Sequence, residues 1–495
     1  MLAERLAHPR PVTIAVLPRV SIVLISLTAL GLRFIHLEAD FPPGINWSGD
    51  LYTDEGWYSN SAIAHELTGR WIIDGDFNPI VSLPVFQLVQ GAAFSLLGLS
   101  ITTARITEVT FSILVCLLSY LLVTRMAGPW PGLVTLSLLA SNFTLFAFSR
   151  LAILDLPMTA LTLMSFLLAT SSRWPLPIHL GLASLAFCLA TLTKTTALFG
   201  LPALLFLIWT SQTSLRKGLL ASSASLVGIA LLLGMYYVTV SGLYREAVAG
   251  FVSTEFAPRL EWTLPAVVKA LARAVWNGMV LDRIVYPVTL LSLPLSLVGS
   301  QRVQRNRLAV AFSIWLLISL IALGVRGYLP PRYYLPLIVP VVSLFGMISV
   351  DAFRRLRPSR WSYAPAVLVA GIAAVHLFNI AKYLSSPEYT FVEMAGDVKE
   401  RIDSDKGNNL LIGNMTNSIT LATGIPSINS VLGTRDLRWK AMTYRPTYYI
   451  ALGEEKETAR QLSEVYYLEE LSAYDVFGNY YDEKRVHLYK LVMKP

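Results

Sequence analysis

Apolar residues in this chain are gathered into long runs, separated by short polar or basic connections. The first run extends from about Pro11 to Leu32. Ten more follow at 104 to 125, 131 to 148, 156 to 171, 177 to 193, 195 to 211, 218 to 241, 279 to 299, 308 to 325, 333 to 350 and 362 to 384. Each is about 16 to 24 residues, enough for a helix to cross roughly 30 Å of hydrocarbon with varied tilt. The pattern predicts a polytopic α-helical membrane protein of about 11 transmembrane helices. The first run is too long for a signal-peptide core and no small-residue cleavage site clearly follows it, so it reads as a retained anchor. The stretch Ile80 to Leu99 is equally long but contains Pro84, Gln87, Gln90 and Gly91. Periodicity alone leaves open whether it crosses or lies in the interface.

Beyond Pro387 the long runs stop. Glu388 to Ile402 reads as an amphipathic helix, and Leu410 to Gly413, Ile425 to Val431 and Thr447 to Leu452 as short strands. Glu454 to Leu468 reads as a helix and Arg485 to Val492 as a last strand. Alternating helices and strands predict a soluble α/β domain over 388–495, after a membrane domain over 1–387.

Composition agrees: 54% of residues are hydrophobic, only 15% are charged, and mean hydropathy is +0.55, which excludes an ordinary soluble protein. The net charge of +8 is unevenly divided. Residues 1–387 hold 27 Lys+Arg against 16 Asp+Glu, whereas residues 388–495 hold 13 against 16. The basic excess therefore belongs to membrane loops, and no nucleic-acid partner is implied. Cys116 and Cys188 lie in apolar runs and offer neither a disulfide framework nor a metal knuckle.

The positive-inside rule fixes the orientation, because one extra crossing inverts every later loop. If Ile80 to Leu99 does not span, Arg5 and Arg10 face the cytoplasm, as do the connections with Arg125, Arg173, Arg216 and Lys217, Arg302 to Arg307, and Arg354 to Arg360. Every basic loop then agrees, so 80–99 is taken as an interfacial or re-entrant helix. The outer face receives the first loop, 33–79, the connections at Arg150 to Asp155 and at Lys194, the Arg326 to Arg332 turn, and the C-terminal domain.

On that face, Thr53-Asp54-Glu55-Gly56-Trp57-Tyr58 places adjacent carboxylates among aromatics just before a helical stretch. Asp54 and Glu55 could be no more than an N-cap and a first-turn acid. They could also supply a general base whose pKa is tuned by partial burial. Ser149-Arg150 to Asp155 puts a cation and an acid around a helix start, open to readings as a snorkelling arginine and a helix cap. Lys194 and Arg332 suit a phosphate, one as a point charge and the other as a bidentate fork, while Tyr333 and Tyr334 also fit an aromatic belt. A lipid-phosphate leaving group needs cations, and an acceptor hydroxyl needs a base.

These residues resemble the polyprenyl-phosphate-sugar-dependent glycosyltransferases of the GT-C type, the group of protein O-mannosyltransferases and bacterial aminoarabinose lipid A transferases. The likeness rests on Asp54-Glu55 with Tyr58, the apolar helix Leu83-Pro84 to Leu97-Gly98 followed by Arg105, Ser149-Arg150 to Asp155, Thr193-Lys194, and Arg332-Tyr333-Tyr334-Leu335-Pro336. It covers roughly residues 12 to 350. It implies that Asp54 is the catalytic base, that Glu55 and Asp155 support it or contact a divalent metal such as Mg, Mn or Zn, and that Lys194 and Arg332 face the lipid phosphate. Tyr58, Arg105, Arg150 and Tyr333 would complete the substrate site. The large lumenal modules of protein O-mannosyltransferases are absent from the sequence, and a terminal α/β domain stands instead, as in the bacterial relatives.

The expected activity is inverting hexosyl or pentosyl transfer from a polyprenyl-phosphate-linked sugar to a hydroxyl or amine of a lipid, glycan or protein. The expected location is the outer face of a bacterial or archaeal cytoplasmic membrane. A secondary transporter would instead favour inverted repeats with charges near the midplane. A noncatalytic scaffold would leave the outer carboxylates purely structural.

Overall fold

The computed structural model describes residues 12–495 except 172–174, 257–262, 299–302, 327–328, 357–358, 406–408, 454 and 478–484. Arg5, Arg10, Arg173, Arg302 and Arg357 of the charge count, and Glu454 of the expected helix, lie outside the described residues. Helices occupy all eleven apolar runs, among them Val12–Gly31, Ile101–Ala127, Asp155–Ala169, Leu176–Thr193, Leu215–Leu243, Val303–Arg326, Leu335–Arg355 and Ala364–Ser385. The run expected at 131 to 148 is broken into Pro129–Ser141 and Phe143–Phe148. Asn142 makes the break, capping the second piece by accepting from Leu145 N at 2.7 Å while its amide donates to Leu281 O at 2.9 Å. Among the described residues, six helices are by themselves long and apolar enough to cross a membrane. The chain is thus an integral membrane protein.

The helix in the disputed segment is Pro84–Leu97, 14 residues. At about 1.5 Å per residue it is roughly 21 Å long, short of a bilayer core. Its glutamines do not face lipid: Gln87 accepts from Ala62 N at 3.2 Å and Gln90 accepts from Ser59 Oγ at 2.9 Å, docking the helix on the first loop. Leu88, Leu96 and Leu97 form its exposed apolar side. An interfacial helix would turn such a side to lipid.

The C-terminal domain is a five-stranded mixed sheet in the order β2-β1-β3-β5-β4, with β1 Leu411–Gly413, β2 Ser427–Asn429, β3 Tyr448–Leu452, β4 Tyr466–Tyr474 and β5 Val486–Met493. β1 runs parallel to β2 and β3, and β5 runs antiparallel to β3 and β4. The helix expected over 454 to 468 ends at Ser463, because Val465-Tyr-Tyr-Leu is β-branched and aromatic and pairs with the last strand. Two short helices the pattern did not reveal, Thr416–Thr423 and Leu437–Tyr444, complete the unit. The first loop holds this domain in place. Asp40 accepts from Thr390 N at 2.9 Å and Phe391 N at 3.2 Å, stabilising the start of helix Thr390–Asp403. Gly75 O accepts from Thr434 N and Arg435 N at 3.1 and 3.2 Å.

Candidate active site

Asp54 opens a single helical turn, Asp54–Trp57, and Thr53 occupies the cap position without a side-chain cap bond. Asp54 is therefore not the N-cap. Its Oδ2 lies 2.9 Å from Arg332 Nε, and both side chains are buried. The contact brings the charges together, yet Oδ2 accepts no hydrogen bond among the described residues. Burial drives the Asp54 carboxyl well above the ordinary carboxylate range; the Asp155 and Glu55 charges push the same way, and Lys194 opposes them.

The other acids are tied down. Glu55 accepts from Arg105 Nε at 2.8 Å and Nη2 at 2.6 Å, and its Oε1 also accepts from Ala152 N at 2.9 Å. Arg105 Nη1 donates onward to Leu37 O and Ala39 O, at 2.6 and 3.1 Å, so Arg105 fastens Glu55 to the start of the first loop. Asp155 is likewise not a cap: Leu154 holds that position, and Lys194 Nζ donates to both Asp155 oxygens at 2.7 and 2.8 Å. Each pair joins distant parts of the chain, and all six side chains are buried.

The cations converge on one ring. Lys194 Nζ, Arg332 Cζ and Arg326 Cζ lie 4.3, 5.2 and 5.3 Å from the centroid of Tyr333. Tyr333 is 8% exposed and Tyr334 is fully buried, so neither is an aromatic-belt residue. Helix Leu335–Arg355 begins directly after the Pro331–Tyr334 turn, with Pro336 at its start, where a missing N–H costs nothing.

Two expected substrate residues stand elsewhere. Arg150 donates to the carbonyls of Arg33, Ile35 and His36 and stacks between Phe146 and Tyr383, 5.2 and 5.3 Å from their ring centroids. It secures the end of the first apolar helix. Tyr58 packs against Leu83, Phe86 and Leu154, and its carbonyl accepts from Gln87, which places it where the loop meets the helix Pro84–Leu97. Two residues were missed. Arg326 stands in the cation group, and Glu108 is fully buried within the field of Asp155, Lys194 and Glu55. The signal for Glu108 was available: it is a lone carboxylate in the apolar run 104 to 125, where a charge is expensive.

A divalent metal fits this donor set poorly. Both Glu55 and Asp155 are committed to cations, and no group of three His, Cys, Asp or Glu suited to a metal exists among the described residues. His65 stacks on Trp71 at 4.2 Å instead.

Residues 79–237 match the family model described as dolichyl-phosphate-mannose-protein mannosyltransferase. No curated protein matches the chain. Among solved structures, ArnT from Cupriavidus metallidurans in the apo state aligns over 95% of this chain and 97% of its own, with TM-score 0.63 and 14% identity. The same protein bound to undecaprenyl phosphate gives TM-score 0.61 and 15% identity at the same coverage. The Archaeoglobus fulgidus oligosaccharyltransferase, solved with Zn and sulfate, gives TM-score 0.53 and 13% identity over 95% of this chain and 73% of its own. The resemblance drawn from the sequence therefore holds: the fold is that of the GT-C glycosyltransferases, and fold and family match together support glycosyltransferase chemistry.

Proposed function

We propose that this chain is an inverting glycosyltransferase, moving a hexose or pentose from a polyprenyl-phosphate donor to a hydroxyl or amine of a lipid, glycan or protein at the outer membrane face. The observation that carries the base assignment is the contrast within the buried acids named from the sequence: both oxygens of Glu55 and of Asp155 accept hydrogen bonds, whereas Asp54 Oδ2 accepts none. An oxygen that faces Arg332 without accepting a hydrogen bond from it, in a carboxyl whose basicity is raised by burial, is suited to general-base work.

Asp54 takes the proton of the acceptor O–H or N–H as that atom forms its bond to the anomeric carbon. The bond from that carbon to the phosphate oxygen breaks through an oxocarbenium-like transition state. Polyprenyl phosphate leaves as an anion, met by Lys194 and Arg332 over the face of Tyr333, with Arg326 beside them. Arg105 and Ala152 N hold Glu55, and through it the turn that aims Asp54. The prenyl tail lies in lipid along Pro84–Leu97. ArnT with bound undecaprenyl phosphate lends the donor class its support, since the fold is shared.

The test is transfer by purified protein from a labelled polyprenyl-phosphate sugar. Lipid phosphate should be released only when acceptor is present. Asp54→Asn should abolish release while leaving expression and donor binding near wild type; full activity in that variant refutes the base assignment.

A further inference from the structure

We propose that the C-terminal domain is a working part of the site, with Ser418 positioning the turn that carries Asp54 and Glu55. The catalytic consequence rests on the function proposed above; the clamp itself does not.

The first N–H groups of any helix lack partners within it and are usually served by the side chain at the cap position. In the turn Asp54–Trp57 that side chain is Thr53, and it makes no such bond. Ser418, more than 360 positions later in the chain, takes over the role. Gly56 N donates to Ser418 Oγ at 3.2 Å, and the same hydroxyl faces Thr53 O at 3.4 Å. One hydroxyl thus bridges the backbone on both sides of Asp54-Glu55.

Its neighbours extend the clamp. Trp57 Nε1 donates to Asn414 O at 2.8 Å, and Asn417 Nδ2 donates to Asn60 Oδ1 at 2.7 Å. Asn429 Nδ2 holds Asn417 from behind, donating to its Oδ1 at 3.0 Å. The approach leaves no room for a side chain: a Cβ on Gly56 would lie 2.1 Å from Ser418 N and 2.3 Å from Asn417 C, both rigid backbone atoms. Asp54, Glu55, Asn417 and Ser418 are all buried. A general base must sit within hydrogen-bond reach of its proton, and a misplacement of about 1 Å can cost on the order of 100-fold in rate. Independent tethers at Asp40 to Thr390 and Gly75 to Thr434 keep the domain docked when Ser418 alone is changed.

The experiment uses the full-length protein in detergent, comparing wild type with Ser418→Ala, Ser418→Thr and Gly56→Ala. Ser418→Ala should lower kcat about tenfold while KM for the lipid donor stays within twofold, and Ser418→Thr, which keeps the hydroxyl, should recover most of the loss. Amide exchange in the segment 53–58 should quicken in Ser418→Ala and Gly56→Ala, while exchange in β3 and β5 stays as in wild type. Wild-type kcat in Ser418→Ala overturns the proposal. So does a loss that Ser418→Thr fails to rescue with exchange raised throughout the domain, because that is general destabilisation. If wild type transfers no sugar, the functional reading fails by itself, and the exchange arm alone decides whether Ser418 holds the turn.

Discussion

Arg33 and Arg332 are both buried guanidinium groups, but their charges are met differently. Among the described residues, Arg33 forms no ion pair with an acid. Its two terminal nitrogens donate to Leu139 O, Ala140 O and Leu145 O at 3.2, 3.0 and 3.1 Å and to the hydroxyls of Ser112 and Ser149. Those carbonyls lie in the last turn of Pro129–Ser141 and in the short helix after it, where helix ends carry partial negative charge. Arg332 faces a carboxylate across 2.9 Å. A guanidinium tied to five fixed groups is architecture and cannot exchange partners without breaking helices. A cation that meets an ionisable side chain can trade it for a phosphate of like charge. On the proposed function, the pairing partner, more than burial, separates the two arginines, and the carbonyl partners of Arg150 put it beside Arg33.

Asp54→Asn, which removes the base but keeps the shape, carries the largest expected effect on transfer, about 10²- to 10⁴-fold. Glu108→Gln sharpens the point, because it neutralises the other buried acid whose part is open; retention of at least a tenth of wild-type kcat there, beside loss in Asp54→Asn, assigns the proton to Asp54. The arginines should part company next. Arg332→Met should lose on the order of 10²-fold in kcat as the anion loses its cation, and should also lower the thermal midpoint, because the buried Asp54 carboxyl loses its counter-charge. Arg33→Met strands several carbonyls at about 1 to 3 kcal/mol each and should show as a lowered thermal midpoint in detergent. If Arg33→Met proves as stable as wild type but inactive, the division between the two arginines is wrong.

The comparison also explains what could be read from the chain beforehand. Long apolar runs report helices directly, so the bundle and the short helix Pro84–Leu97 were legible. Asp54, Glu55, Asp155, Lys194 and Arg332 were visible because charges bordering such runs are costly and few. Their pairing was not legible: Lys194 meets Asp155 across 39 positions and Arg332 meets Asp54 across the whole bundle, which no local pattern encodes. The contacts of Arg150 were not legible for the same reason, since its partners are backbone carbonyls and leave no trace in side-chain identity. Ser418 is a small polar residue in a short helix and becomes informative only once Gly56 is seen against it.

Lys194 and Asp155 allow a cycle that separates stability from chemistry. Lys194→Met leaves a buried carboxylate without its counter-charge, at about 3 to 5 kcal/mol. Adding Asp155→Leu removes the stranded charge and should restore most of the thermal midpoint while transfer stays low, because the phosphate still lacks its ammonium. Recovery of transfer in the double variant would make the pair structural, like Arg33.

Smaller still is the pH effect. A base works only when ionised, so a carboxyl raised by burial moves the acid limb of kcat/KM upward: activity should climb with pH through a midpoint above the ordinary carboxylate range of about 4. Taking the positive charge away in Arg332→Gln disfavours the carboxylate further and should move the residual activity's limb higher again. A limb that moves to lower pH in that variant breaks the link between the pair and the base.

The weakest expected effect is that of chelation. For a divalent ion to use Glu55 and Asp155 as ligands, it must displace Arg105 from a two-bond fork and Lys194 from two carboxylate oxygens, and it would still lack the further oxygens such ions gather. Dialysis against EDTA should therefore leave kcat within about twofold of the untreated enzyme, with added Mg, Mn or Zn restoring nothing more. Loss of transfer on chelation, recovered by one of these ions, would mean that the acid–cation pairs open during turnover, and the line drawn between exchangeable and fixed partners would then pass through Arg105 as well.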